Sequence, residues 1–272
     1  MYLDFYKLNE KPYSYLNPNP RFFYYAPQHL TVKRMADYIV SERNGHIYLY
    51  GPIGSGKTSL LKTVSQMLDE NENNTICFIN APNLKTSNSL IRRISDGFGV
   101  KTERSYSASL ENFTSWLGDQ HKAKKAPVLV IDEAQNIVRD GLRTLHYLMT
   151  YVTPEDILLM VILCGQEELA TKIDRFPEIK SRMFPTALSA LSREETEKLI
   201  RYRWQVASSK NTNPLPFQKT ALDAIYERSK GISREVCKIC DLALLAGHAS
   251  KQKTINETLI NSVVKSITHD GN

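Results

Sequence analysis

The 272-residue chain is long enough to bury a sizeable core, and lies near the length at which a single core gives way to subdomains. With 42% hydrophobic and 24% charged residues, 12 glycines and 12 prolines, its composition excludes collagen-like, low-complexity and mostly disordered chains. The 35 basic and 29 acidic side chains leave a net charge of +6, compatible with a polyanionic partner but shared by proteins that bind none.

The first 27 residues crowd aromatics (Tyr2, Phe5, Tyr6, Tyr13, Tyr15, Phe22, Phe23, Tyr24, Tyr25) among Pro12, Pro18, Pro20 and Pro27, which predicts an irregular, packed arm over 1–27. A helix is expected from Gln28 to about Arg43. Strand-like and helix-like stretches then alternate: strand His46 to Tyr50, helix Lys57 to Leu68, strand Thr75 to Asn80, helices Ser87 to Phe98 and Ser109 to His121. Strand Val128 to Ile131, helix Arg139 to Tyr151, strand Ile157 to Leu163, helix Glu167 to Ile173 and a short strand near Ala187 complete the series. Continuous apolar strands alternating with helices predict an α/β core over 28–190, a parallel sheet covered on both faces. Beyond Leu191 only helical patterns remain, Arg193 to Ala207, Gln218 to Ser229, Ser233 to Ala249 and Ile255 to Ile267, so 191–272 is expected to form an all-helical lid.

No run approaches the roughly 18 consecutive apolar residues of a membrane helix, and the start Met1-Tyr2-Leu3-Asp4-Phe5 lacks a basic region followed by an apolar one. A cytoplasmic location without membrane partners is the expectation. Cys77, Cys164, Cys237 and Cys240 are too few for a disulfide scaffold in a chain this size, and reduced core thiols are expected. Cys237-Lys238-Ile239-Cys240 has the spacing of a redox motif or of half a zinc site, but it has no second CxxC and lies in a helical apolar pattern.

The motif with the most specific chemistry is Gly51-Pro52-Ile53-Gly54-Ser55-Gly56-Lys57-Thr58, which fits GxxxxGK[ST] between an apolar strand and a helix. Its glycines let successive backbone N–H groups turn toward phosphate oxygens, helped by the positive end of the helix. Gly51 through Ser59 are therefore the expected nucleotide-binding residues: Gly51, Pro52, Ile53, Gly54, Ser55, Gly56, Lys57, Thr58 and Ser59. Lys57 should reach the β and γ phosphates, and Thr58 should hold Mg²⁺ through its hydroxyl.

Val128-Leu129-Val130-Ile131-Asp132-Glu133 is an apolar strand ending in two acids, which places carboxylates at the C-terminal edge of a parallel sheet. Asp132 is expected to hold the magnesium ion through water, since Mg²⁺ dehydrates reluctantly, and Glu133 to orient and polarise an attacking water. No acceptor-binding motif of a small-molecule kinase is recognisable. ATP hydrolysis coupled to a change of shape fits the pattern better.

Together these features resemble the AAA+ ATPases. Met1-Tyr2-Leu3-Asp4-Phe5-Tyr6-Lys7-Leu8, Lys11-Pro12-Tyr13, Pro20-Arg21-Phe22-Phe23-Tyr24, Ile131-Asp132-Glu133-Ala134-Gln135, Gly165-Gln166-Glu167-Glu168-Leu169 and Gly231-Ile232-Ser233-Arg234 resemble the ExeA/GspA-type branch, which includes the TniB and TnsC-type transposition regulators. The resemblance implies an AAA+ P-loop NTPase core with a five-stranded parallel sheet and a helical lid. It places Gln166 where a sensor contacts the γ-phosphate or water. Arg182 falls where a finger acts in trans on a neighbour's nucleotide, with Arg175 as a nearby competitor, and Arg234 at the second sensor position of the lid. Ser233 stands where the family usually has proline. An arginine finger implies a homo-oligomer, either a ring or a helical filament.

ExeA-type secretion proteins are expected to carry a membrane helix and a peptidoglycan-binding region after the lid, whereas this sequence ends at Asp270-Gly271-Asn272, just beyond its last predicted helix. The expectation is a stand-alone regulator that assembles with ATP on double-stranded DNA and recruits a transposase and a target-selection protein. A secretion or envelope-assembly ATPase and a weakly hydrolysing nucleotide-switch scaffold are the alternatives. Resemblance to replication initiators points to DNA contacts at Lys85, Arg92, Arg93, Lys101, Thr102 and Arg104, residue types suited to phosphate contacts without base readout. Arg92 and Arg93 equally suit the solvated face of an amphipathic helix. Lys122, Lys124 and Lys125 are assigned to a solvated loop, and the aromatic arm to packing rather than base stacking.

Overall fold

The computed structural model of the chain describes residues 2–15, 19–80, 86–208 and 213–267. Of the candidate site residues, Lys85 lies outside the described residues. The chain divides into two compact units, one of residues 27–51 and 60–188, the other of 1–26, 52–59 and 189–272.

The first unit is an α/β sandwich. Helix α2 (Pro27–Ser41) precedes β1 (His46–Tyr50); α3 (Lys57–Asp69) leads to β2 (Asn74–Ile79), and α4 (Ser87–Gly97) and α5 (Tyr106–Lys122) lead to β3 (Ala126–Ile131). Then follow α6 (Arg139–Met149), β4 (Met160–Gly165), α7 (Glu167–Asp174), the single turn α8 (Pro177–Lys180) and β5 (Met183–Ala187). The strands form one five-stranded sheet in the order β2-β3-β4-β1-β5, every neighbouring pair parallel. This is the AAA+ P-loop NTPase fold class expected from the sequence.

The strand order follows from side-chain chemistry. β3 and β4 are buried at every position, and their unbroken apolar sequences suit the middle of a two-sided sheet. β5 takes an outer place, where Pro185, lacking an N–H, costs no ladder bond on the open side. Parallel register sets Val128 against Met160, Ile47 against Ile162 and Tyr50 against Gly165, so β3, β4 and β1 deliver their C-terminal ends to one edge of the sheet.

Three of the boundaries that differ from expectation do so for local reasons. α5 begins at Tyr106, not Ser109, because Ser105 caps it by accepting from Ala108 N–H, while Ser109 is buried with its hydroxyl on Glu103 O. β4 begins at Met160, because Ile157 is engaged in an antiparallel bridge to Val152 around the turn closed by Thr153 and Asp156. α6 stops at Met149, where the Thr150 hydroxyl donates to Tyr147 O.

The second unit gathers α9 (Arg193–Ala207), α10 (Lys219–Ser229), α11 (Ser233–Ala249) and α12 (Glu257–Ile267) around a core of their own. A reciprocal cap starts α9, with the Ser192 hydroxyl accepting from Glu195 N–H and the Glu195 carboxylate from Ser192 N–H. The N-terminal arm belongs to this unit, and it is less irregular than its prolines suggest. It opens with α1 (Tyr2–Tyr6), whose i, i+4 tyrosines share one buried face, and later makes a 3-10 turn at Pro20–Phe22. The aromatics pack on lid helices. Tyr2 donates its hydroxyl to Asp241 at 2.8 Å, and Tyr13, wholly buried, donates to Ile200 O at 3.0 Å. Burial pushes the Tyr6 phenol up to about 12, so all these hydroxyls act as donors at neutral pH.

The four cysteines are free and buried, Cys237 and Cys240 within α11, and burial raises both thiols above the ordinary range. Such thiols are poor nucleophiles and poor ligands. Among the described residues no helix is long and apolar enough to cross a membrane.

Candidate nucleotide site

β1 delivers the chain to the sheet edge at Gly51, whose φ of 157° brings it against β5's exit. A Cβ there would lie 2.1 Å from Leu188 O. Leu188 N–H donates to Tyr50 O at 2.8 Å, so the last turn before the phosphate loop is pinned by backbone alone.

The loop residues 52–59 lie in the second unit. The loop curls back on itself: Ser55 N–H and the Lys57 ammonium both donate to Pro52 O, at 3.3 Å and 2.8 Å. Lys57 is only 7% exposed at the first position of α3. Gly54 takes φ +80°, and its carbonyl accepts from Arg234 N–H at 3.0 Å, tying the loop to the start of α11. The Ser55 hydroxyl is buried and finds no hydrogen-bond partner among the described residues. A buried orphan hydroxyl, a buried ammonium and glycine backbone at a helix N-terminus are the donor set a polyphosphate takes, so these residues fit a nucleotide.

In the first unit, Asp132 and Glu133 follow directly from β3 at the C-terminal edge of the sheet. Asp132 is 2% exposed; its N–H donates to Ile79 O at 2.9 Å and its Oδ1 accepts from Glu133 N–H at 2.9 Å. That bond holds Glu133 in the left-handed region, φ 52°, unusual for a residue with a side chain. Glu133 Oε2 then accepts from Gln135 Nε2 at 2.5 Å and, more weakly, from Gln166 Nε2 at 3.4 Å. The structure thus brings Gln166, at the entrance to α7, to the side chain of Glu133. Gln135 has no role assignable from the sequence, although an amide two residues beyond a candidate base is the signal that could have marked it. Lys172, on α7, donates to Gln135 O and Ile137 O at 2.5 Å and 2.6 Å, and burial lowers its pKa.

Arg182 is exposed between α8 and β5, with its N–H on Ile179 O, and its side chain makes no ion pair among the described residues. Arg175, the competitor, is also exposed, at the end of α7. Arg234 is exposed on the first turn of α11, and its backbone meets the phosphate loop at Gly54. On the proposed DNA face, Arg92 and Arg93 are exposed on α4 opposite its buried Leu90, Ile91 and Ile94. Lys101 and Arg104 are exposed in the connection to α5, Thr102 is half-buried, and Lys101 pairs with Glu103 at 3.0 Å. Of the second basic run, Lys122 ends α5 beside Asp119 and Lys125 donates to Glu72 O.

A buried histidine on β1 is not legible as special in the sequence. His46 Nδ1 accepts from Val161 N–H at 3.2 Å, which leaves the neutral ring as the form the sheet holds. Its pKa falls to about 4, chiefly from burial and then from the nearby Arg182 charge, partly offset by a hydrogen bond to the Met149 backbone.

The fold and the two motif segments define an AAA+ P-loop NTPase, and residues 40–173 match the family model described as an AAA domain. Residues 40–173 therefore carry an AAA domain. General secretion pathway protein A of Aeromonas hydrophila is 30% identical over 256 residues, covering 92% of this chain and 45% of that protein. Putative ORC1-type DNA replication protein 1 of Thermoplasma acidophilum is 27% identical over 166 residues, covering 56% of this chain and 46% of that protein. The chain thus spans about half the length of the curated relatives it matches. Among solved structures, Drosophila ORC bound to DNA superposes with a TM-score of 0.72 at 15% identity, over 98% of this chain and 66% of that one. The Aeropyrum pernix ORC1 protein in complex with DNA gives 0.69 at 16% identity, over 97% and 71%. At that identity the likeness is one of fold.

Proposed function

We propose that this chain is a magnesium-dependent ATPase that self-assembles with ATP on double-stranded DNA and regulates DNA transposition. The observation that carries the ATP-driven part is the bond from Arg234 N–H to Gly54 O, through which a lid helix is joined to the phosphate loop itself. A change in the loop on nucleotide binding is passed to α11 without an intermediary. Lys57 and the loop amides hold the β and γ phosphates. Thr58 would offer a hydroxyl and Asp132 a carboxylate oxygen, ligand types that Mg²⁺ takes, and the ion would supply charge neutralisation to the phosphates. Glu133 accepts a proton from water as the water oxygen bonds to the γ phosphorus, the bond to the β–γ bridging oxygen breaks, and ADP and phosphate leave. Arg182 of one subunit neutralises charge on the nucleotide of the next, so hydrolysis is tied to assembly.

The exposed Arg92, Arg93, Lys101 and Arg104, with Thr102 beside them, support a phosphate-backbone contact, as does the fold shared with the DNA-bound ORC structures. A second reading, an ATPase for secretion or envelope assembly, is favoured by the 30% identity to general secretion pathway protein A. Sedimentation or negative-stain microscopy with a slowly hydrolysed ATP analogue, with and without duplex DNA, separates them. DNA-dependent rings or filaments are expected. Assembly indifferent to DNA would favour the secretion reading, and no assembly would refute the finger in trans.

A further inference from the structure

The side chain of Gln135 is held at both ends. Its Oε1 accepts from Gln166 N–H at 3.2 Å, which assigns the amide orientation and leaves Nε2 facing Glu133 Oε2 at 2.5 Å. The approach is possible only because residue 165 is glycine: a Cβ there would lie 2.4 Å from Gln135 Oε1. The turn Ala134–Asn136 that presents the amide is itself braced by Lys172, whose ammonium bridges Gln135 O and Ile137 O. With Oε2 of Glu133 engaged by Gln135 and Gln166, Oε1 carries no hydrogen bond among the described residues.

We propose that Gln135 is a positioning residue for Glu133: its amide fixes Oε2 so that Oε1 is the oxygen presented to the attacking water, with Gly165 and Lys172 holding the amide in place. The proposal rests on the reading of Glu133 as the base. The amide restricts a carboxylate whose own torsions would let it turn away. Gln135 acts through Glu133, so its loss should lower kcat and leave nucleotide binding alone.

The test is single-turnover and steady-state ATP hydrolysis by the full chain, with duplex DNA present and thermal melting alongside, for Gln135→Met, Gln135→Glu and Glu133→Gln. Gln135→Met keeps the volume without the donor, and is expected to lower kcat at least tenfold at an unchanged KM and unchanged affinity for a fluorescent ATP analogue. Gln135→Glu replaces the donor with a second carboxylate against Glu133 Oε2, repels the base from its place, and is expected to lower kcat at least as far, again at an unchanged KM. A purely structural role would lower the melting temperature and raise KM along with the fall in kcat. Wild-type kcat in both Gln135 variants overturns the proposal while leaving Glu133 as the base. Wild-type turnover in Glu133→Gln instead overturns the assignment of the base, and the proposal with it.

Discussion

Gly54→Ala tests whether the phosphate loop and the lid are joined as the structure has them. Two costs can be worked out. An alanine at φ +80° costs about 1–2 kcal/mol relative to glycine, because its Cβ crowds the adjoining carbonyl. The new Cβ also lies 3.0 Å from both Arg234 Cβ and Ile232 Cγ2, inside normal contact, and small overpacking of this kind costs about 1 kcal/mol. The sum, about 2–3 kcal/mol, corresponds to roughly a 30- to 150-fold loss of nucleotide affinity if the loop must regain this geometry to bind. Titration with a fluorescent ATP analogue, alongside thermal melting, reads it. Ile232→Ala added to Gly54→Ala removes one of the two contacts and should recover about half of the crowding share, leaving affinity roughly ten- to seventyfold down. Wild-type affinity within twofold, with unchanged melting, would refute both the loop conformation and its contact with α11.

The neutral His46 makes stability pH-dependent. The unfolded chain takes up the proton near 6.5 and the folded chain only near 4, so the contribution is complete above 6.5 and is lost as pH falls through 4. It amounts to about 3 kcal/mol at neutral pH; denaturant melts of His46→Gln should show a flatter stability profile between these limits, and an unchanged slope would count against the buried neutral ring. Arg182→Ala should abolish the stimulation of turnover by assembly while nucleotide affinity stays constant; normal stimulated rates would exclude it as the finger. Arg92→Ala and Arg93→Ala should each weaken duplex binding on any sequence and lower the salt slope of the affinity by roughly one. Identical slopes would remove α4 from the DNA face.

The motifs in which the neighbours along the chain are also the neighbours in space were legible. Gly51 to Thr58 and Val128 to Glu133 are of this kind, because a phosphate loop and a strand-end acid pair are built by consecutive backbone. The alternation of apolar strands with amphipathic helices likewise predicted a parallel α/β unit followed by helices, since periodicity records which faces must leave water. Prolines misled at the start of the chain. They mark where helix cannot continue, but Tyr2–Tyr6 precedes the first of them, and its helix is held by Asp241 and Gln252, more than two hundred residues away.

What the tertiary structure alone decided are the contacts between chain-distant groups. The sheet order set β4 between β3 and β1, and with it brought Gly165 and Gln166 to the acid pair. The clamp on Glu133 joins residues 133, 135, 165, 166 and 172, and no spacing in the sequence encodes it. The Arg234–Gly54 bond is made by backbone atoms, which every residue possesses and which therefore leave no mark in the sequence. Residue type tells which chemistry is available; which donor meets which acceptor is set by packing, because a buried polar group takes whatever partner the fold brings within reach.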